Sequence, residues 1–262
     1  MIKRIKNSLI YRYRYKYTVI TIFFWNVITK IFISNKRDRT LRKSLYVWVP
    51  VWGEQHIDMF FKFTLPSLLE ANNLPLVSIN KEVQFYFYTK DADVDVIETR
   101  MKMLAPSYNF TIVAESFFDD MARDMMSNYL IHMLDCCIKN NALLLFAQPD
   151  LIFSNGTVNN LVKLSDGKGV SIAVAHPRVS FESFMSKKID LKNISENSLD
   201  MVKAALTSQH NTLIHADETS DINSTLMGIS TKKMSNGLAV IHNLPAPYLC
   251  SPIKDDLVFF KR

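Results

Sequence analysis

From Leu45 onward the chain alternates between two patterns of apolar and polar positions, and the alternation predicts an α/β fold. LYVWVPV (45–51) is a continuous apolar run of strand length, ended by Gly53; a strand of this kind is covered on both faces. Between 57 and 70, Ile57, Phe60, Phe61, Leu65, Leu68 and Leu69 fall at helical spacing. Pro66 within that stretch predicts a kink or a restart. VQFYFYT (83–89) and FTIVAE (110–115) are dense in β-formers, the first stopped by the polar KDAD, and VDVIETRMKMLAP between them reads as a short helix.

A longer helix is predicted from Ser116, which with Asp119 has the spacing of a capping box, Asp standing in for Glu. Phe117, Met121, Met125, Tyr129 and Met133 form one i,i+4 row, Phe118, Met126, Leu130 and Leu134 run beside it, and Asp119, Asp120, Arg123 and Asp124 fill the polar side. So broad an apolar stripe belongs to a helix packed on a sheet. NALLLFAQPD then gives a wholly apolar strand that stops at Gln148-Pro149-Asp150, and GVSIAVAHPR (169–178) repeats the pattern. Strand, helix and strand in succession predict an open, mostly parallel α/β sheet with helices on both faces. Ligands of such sheets bind beyond the carboxyl ends of the strands. The tips that follow from this are Trp52 to Glu54, Thr89 to Asp93, Gln148 to Asp150, and His176 to Arg178.

Composition agrees with a packed core: 262 residues, 48% hydrophobic and 21% charged, which excludes disordered, collagen-like and disulfide-scaffold chains. Cys136, Cys137 and Cys250 make neither an even framework nor a CxxC metal pattern, and a reducing, cytoplasmic setting follows. Charge changes the picture more. Residues 1–43 hold twelve Lys/Arg against Asp38 and carry +11, so the remainder of a chain whose net charge is +6 carries −5. The domain reading is therefore a basic, aromatic arm over 1–43 and a globular body over 44–262, and a chain beginning at Ser44 is expected to fold.

The arm alternates aromatic and basic residues in YRYRYKY, and its apolar run from Thr18 to Ile33 is 16 residues long with Asn26 and Lys30 inside it. A membrane span needs roughly 20 apolar residues. A segment of this composition suits peripheral placement on an anionic membrane surface, where each Lys or Arg contributes about 1 kcal/mol. The competing reading is a helix packed against the body with solvated charges. Nucleic acid is not an expected partner, because no basic groove continues downstream.

The clearest chemical signal is LLLFAQPDLIFSNGTVNNLVKL. An acid directly after a buried strand sits at the rim of the crevice, where a carboxylate can orient a sugar hydroxyl or help hold Mg²⁺ or Mn²⁺. Where two acids one residue apart would make a metal site, this chain has Gln148 and then Asp150. Asp150 is thus the one candidate catalytic and metal-binding acid, and its competing role is to cap the turn after Pro149. His132 reads as a packed helix side chain, and Asp91, Asp93 and Asp95 as a solvated turn and helix start. Walker, GxSxG and HExxH motifs are absent from the sequence.

In order and spacing, PVWGEQHIDMFFKFTLPSLLEANNLP, QFYFYTKD, QPDLIFSNGTVNNL, a strand ending in PRV, LDMVKAALTSQH and GLAVIHNLPAPYL resemble a bacterial family of GT-A-like glycosyltransferases, over roughly residues 45 to 253. The resemblance implies a nucleotide-diphosphate sugar as donor and a glycan or lipid-linked acceptor. It assigns donor binding to Trp52, Gly53, Thr89, Gln148, Arg178 and His242, with Asp150 meeting the donor through Mg²⁺ or Mn²⁺ or touching the sugar directly. Asn155 stands where the family has an acid, His210 lacks a following Pro, and Leu244 replaces a His. Gln148, Asn155 and Leu244, standing where acids or a His are expected, motivate the alternative, a catalytically silent fold that binds glycan or protein.

Overall fold

The computed structural model describes residues 40–117, 125–169, 172–174, 179–186, 203–205, 207–208, 230–233, 239–242, 246–254 and 256–257. They divide into two compact units. One takes its described residues from 36–173 and 247–262, the other from 174–189 and 202–246.

The first unit is built on β1 (Ser44–Pro50), β2 (Glu82–Thr89), β3 (Asn109–Ala114), β4 (Ala142–Phe146), β5 (Ile172–Val174) and β8 (Ala246–Cys250), in the order β3-β2-β1-β4-β8-β5. β1 pairs in parallel with β2 and with β4, and β2 with β3. β8 enters antiparallel beside β4, Leu145 opposite Leu249. The apolar runs at 45–51 and 142–146 are therefore central strands, every residue of β1 and β4 being buried.

Alternate side chains of β2 divide the core in two. On one face Phe87 packs edge-on to Phe60 and stacks with Phe61, their centroids 5.4 and 6.4 Å away. Those rings come from a π-helical turn (Phe60–Thr64) that joins α1 (Glu54–Met59) to α2 (Leu65–Leu68). Pro66 sits in the first turn of α2, so its missing N–H is absorbed by a widened turn and the kink expected at this proline takes π-helical form. On the other face Tyr88 meets Tyr129 at 4.9 Å, and its hydroxyl bonds His132 Nδ1 at 2.7 Å. Both partners lie on α5 (Met125–Lys139). Helices cover both faces, as the sequence pattern requires.

Three expectations are corrected. The helix read from Ser116 begins as a 3₁₀ turn (Glu115–Phe117), with α5 described from Met125. Ser116 donates its hydroxyl to Asp91 rather than serving a helix start, and Phe117 is 61% exposed instead of joining the core row. The other capping-box partner, Asp119, lies outside the described residues. The strand read over 169–178 is borne out where it is described, at Ile172–Val174, and β8 lies between it and β4.

The boundary of the arm is corrected as well. Arg42, assigned to the arm by its charge, is buried in the body. Its guanidinium donates to Ser251 Oγ (2.9 Å), Asn141 Oδ1 (2.8 Å) and the Pro252 carbonyl (3.3 Å), and its backbone N–H to Asp166 Oδ1 (2.8 Å). Lys81 completes the cluster, with its ammonium 2.7 Å from Asp166 Oδ2 and bonded to the Arg42 carbonyl. A chain beginning at Ser44 would lose the centre of this network.

In the second unit, α7 (Phe181–Ser186) is tied at its start by the Ser180 N–H to the Ser208 carbonyl at 2.7 Å. β6 (Ser230–Lys233) and β7 (Ala239–His242) form an antiparallel pair with Ser230 opposite His242. No helix among the described residues is long and apolar enough to cross a membrane.

Candidate functional site

The strand order makes the crevice. From β1 the sheet grows through β2 to β3 on one side, and β4 is laid on the other side of β1. The connections diverge at this switch point, and ligands of open α/β sheets bind at such a point, beyond the carboxyl ends of the strands, here β1 and β4. The sequence-assigned residues Trp52, Gly53, Gln148 and Asp150 lie on these two tips.

At the β1 tip the Val51 N–H bonds the Tyr88 carbonyl at 2.9 Å, which continues the β1 and β2 pairing one residue past the strand. Gly53 then turns the chain into α1 with φ +78° and ψ 143°, a conformation that strains any residue with a Cβ. No atom lies within 4 Å of a Cβ built there, so the backbone borders open space. The half-buried Trp52 sets its ring edge-on to Tyr129, 6.5 Å between centroids.

At the β2 tip Thr89 is fully buried and its hydroxyl has no hydrogen-bond partner among the described residues. Its carbonyl accepts from the Tyr129 hydroxyl at 3.3 Å. Burial, with the nearby Glu115 and Asp91 carboxylates, pushes the Tyr129 phenol up to about 12. Beyond Thr89 comes a 3₁₀ turn, Asp91–Asp93, leading into α4 (Val94–Leu104). These acids are more than the solvated turn read from the sequence. Asp93 Oδ2 accepts the Gly53 N–H at 2.8 Å, and Asp91 accepts both the hydroxyl and the backbone N–H of Ser116. Two carboxylates therefore fasten the tips of β1, β2 and β3 to one another.

At the β4 tip the Ala147 N–H bonds the Trp48 carbonyl at 2.9 Å, and the Leu151 N–H closes a turn onto the Gln148 carbonyl at 3.2 Å. Pro149 is buried, and Gln148 and Asp150 on either side of it are exposed. The turn is held from beneath by the helix that follows β1. Thr64 Oγ1 donates to the Pro149 carbonyl at 2.8 Å, and Ser67 Oγ accepts the Phe153 N–H at 3.0 Å. Asn73, fully buried, donates to the Ser67 and Ser154 carbonyls at 2.8 and 3.1 Å and accepts the Val158 N–H at 3.0 Å. It thereby sets the start of α6 (Thr157–Ser165). The LPSLL, NLP and QPDLIFSNG segments occur together because they bond together.

Asp150 does not cap this turn, since the bonds that fix the turn use backbone groups, Thr64 and Ser67. Its charge acts on Tyr248 of β8, whose phenol is pushed up to about 12 by burial and then by Asp150. Tyr248 packs against Phe153 at 5.9 Å, and sequence reasoning missed it because an antiparallel strand from the end of the chain brings it there. Asn155 accepts the Asn72 N–H through Oδ1 at 3.0 Å, a role in which an acid would serve equally.

Arg178 and His176 lie outside the described residues, and His242 is described only as the last backbone position of β7 in the second unit. Among the described residues no group of three or more His, Cys, Asp or Glu is placed to hold a metal ion. Asp150 is the one acid of the Gln148–Asp150 turn, and Asp91 and Asp93 already accept hydrogen bonds. This donor set does not fit a metal site built from protein side chains alone.

No protein-family model matches the chain, and no curated protein does. Solved structures similar to it include a 4-diphosphocytidyl-2C-methyl-D-erythritol synthase from Anaerococcus prevotii, with 8% identity, 53% of this chain and 61% of that chain covered, and a TM-score of 0.34. A second is the mannosyltransferase PcManGT from Pyrobaculum calidifontis in complex with GDP-Man and Mn²⁺, with 15% identity, 69% of this chain and 46% of that chain covered, and a TM-score of 0.37. The chain thus spans less than two thirds of either structure. Likenesses of this depth concern the course of the backbone alone.

Proposed function

We propose that this chain is a glycosyltransferase that takes a sugar from a nucleotide-diphosphate donor and passes it to a glycan or lipid-linked acceptor, with the donor seated at the switch point between β1 and β4. The observation that carries this reading is the pair Gln148 and Asp150, exposed on a turn that Thr64, Ser67 and a buried Pro149 hold rigid at the end of a fully buried strand. Polar groups fixed in advance around a reacting centre lower a barrier because nothing must reorganise when charge develops.

In this reading the Asp150 carboxylate accepts hydrogen bonds from sugar hydroxyls and the Gln148 amide donates to a sugar or phosphate oxygen. Gly53 gives the donor a side-chain-free approach to the backbone, and the Trp52 ring offers it a flat apolar surface. The acceptor hydroxyl attacks the anomeric carbon as the bond from that carbon to the phosphate oxygen breaks. The nucleoside diphosphate leaves with the bonding electrons, and the hydroxyl proton passes to a base.

A second reading, a silent module that binds glycan or protein without turnover, is favoured by one observation: Gln148 stands where a second acid would pair with Asp150. Thermal melting of the full chain against a panel of nucleotide sugars, with and without Mn²⁺, tests the first reading. One donor class should raise Tm and undergo slow hydrolysis, and Asp150→Asn should abolish both. No shift with any donor would overturn it, and a shift without turnover that survives Asp150→Asn would favour the silent module.

A further inference from the structure

The two ends of the parallel strands differ in chemistry. At the carboxyl end the exposed or half-buried charges among the described residues include Glu54, Asp91, Asp93, Asp95, Glu115 and Asp150, against Lys90. At the amino end the exposed or half-buried charges among the described residues include Lys43, Lys81, Lys102, Lys139, Lys163 and Lys168, against Glu82 and three acids that pair with lysines, Glu98 with Lys102, Asp135 with Lys139 and Asp166 with Lys81. The amino end also carries unusually exposed apolar side chains: Leu41 and Ile79 at 72%, Met103 at 68%, Leu164 at 57% and Leu104 at 44%.

Chain connectivity puts these residues on one edge. Leu41 precedes β1, Ile79 precedes β2, and Met103 and Leu104 end α4 just ahead of β3. Leu164 is in the last turn of α6, next to the Asp166 that bonds Arg42 and Lys81. A groove of ≈ 600 Å³, lined in part by Ser78, Lys81, Leu104 and Tyr108, opens on the same edge. The basic, aromatic segment ahead of Thr40 is joined to the body here, through Leu41 and Arg42.

We propose that the amino edge of the sheet is a docking surface for an anionic lipid bilayer, with Leu41, Ile79, Met103, Leu104 and Leu164 entering the interface and the surrounding lysines lying over the headgroups. Among the described residues of this unit, five of the seven exposed large apolar side chains lie on this edge, Val96 and Phe117 being the other two, and the lysines and the N-terminal segment are attracted by the same surface. The acidic edge stands a strand away. Eight residues of β2 span roughly 25 Å at the rise of a β-strand. That distance exceeds the Debye length of about 8 Å at physiological salt, so the carboxyl-end acids do not oppose docking. The body then stands with its strands rising from the bilayer and the β1 and β4 tips opening to water. This inference holds whether or not the crevice transfers a sugar.

The test is co-sedimentation of the full chain with vesicles of phosphatidylcholine, and of phosphatidylcholine mixed with phosphatidylglycerol. The edge variant carries Ile79→Glu, Met103→Glu and Leu164→Glu. A charge-matched control carries Val96→Glu and Lys90→Glu, away from this edge. The wild type should bind the anionic vesicles, the edge variant should lose at least about tenfold in partitioning, and the control less than about threefold. Equal losses in both variants, or none in the edge variant, would overturn the proposal. So would a wild type that ignores vesicles and self-associates in sedimentation unless the edge is substituted, because the edge would then bind a second copy. If the triple variant melts early, Ile79→Glu and Leu164→Glu are measured singly, and each must weaken binding.

Discussion

The Thr89 hydroxyl is buried at a strand tip without a partner among the described residues. An unpaired buried hydroxyl costs about 1–3 kcal/mol. Thr89→Val keeps the side-chain shape and removes that cost, so it should raise the free energy of urea unfolding by about 1 kcal/mol. If the hydroxyl is held in reserve for a donor, the same variant should show a smaller donor-induced rise in Tm. A loss of stability would mean that the hydroxyl is paired. Sequence alone singled out Thr89 as the last residue of a β-rich run, but burial and the missing partner emerge only when β1, β3 and α5 surround it. Asp91 and Asp93 do form the turn and helix start read from the sequence, and what stayed hidden is their role as acceptors. Their alternation in DAD is what a solvated turn looks like, and their acceptor roles depend on Gly53 and Ser116, 40 and 25 residues distant.

Among the elements, the central strands were legible because a continuous apolar run of strand length is compatible with little else. The helix after β1 was legible by its spacing, though not its π-helical turn, since widening depends on Pro66 being fitted against a sheet already in place. The support beneath the Gln148–Asp150 turn was visible only as a set of co-occurring segments. Its physical content is a group of side-chain bonds to backbone, with Asn73 at the centre. Asn73→Ala removes the partner of three backbone groups, two of them in buried bonds, and should destabilise the chain by on the order of 3 kcal/mol. Asn73→Asp should recover part of this, because the carboxylate still accepts the Val158 N–H. Chemical denaturation monitored by far-UV circular dichroism would measure both. A cost below about 0.5 kcal/mol for Asn73→Ala would mean that water takes over those bonds.

At the scale of the whole molecule, charge patterning divides the sequence into a basic segment and an acidic body, and it does not reveal that Arg42 is buried in the body. Arg42 counts as a basic residue in sequence, while its hydrogen bonds make it a buried centre linking 141, 166 and 251–252. A chain shortened to begin at Thr40 should melt like the body of the full chain. One beginning at Ser44 should be less stable by several kcal/mol, since breaking a buried charged network typically costs about 3–5 kcal/mol. Equal melting temperatures for the two would remove Arg42 from the account. An open, mostly parallel sheet was legible from the succession of strands and helices, though not the order of its strands. The insertion of β8 between β4 and β5 was not visible, because a C-terminal strand chooses its neighbour by packing.

The central claim is that the carboxyl ends of β1 and β4 form the donor site, and hydrogen–deuterium exchange of the full chain with and without the donor that raises its Tm tests it most directly. Protection should appear over residues 51–55 and 147–151, the two tips of the switch point, and should disappear in Asp150→Asn. Protection confined to the amino edge, over residues 75–83 and 104–109 around the groove, would contradict the account.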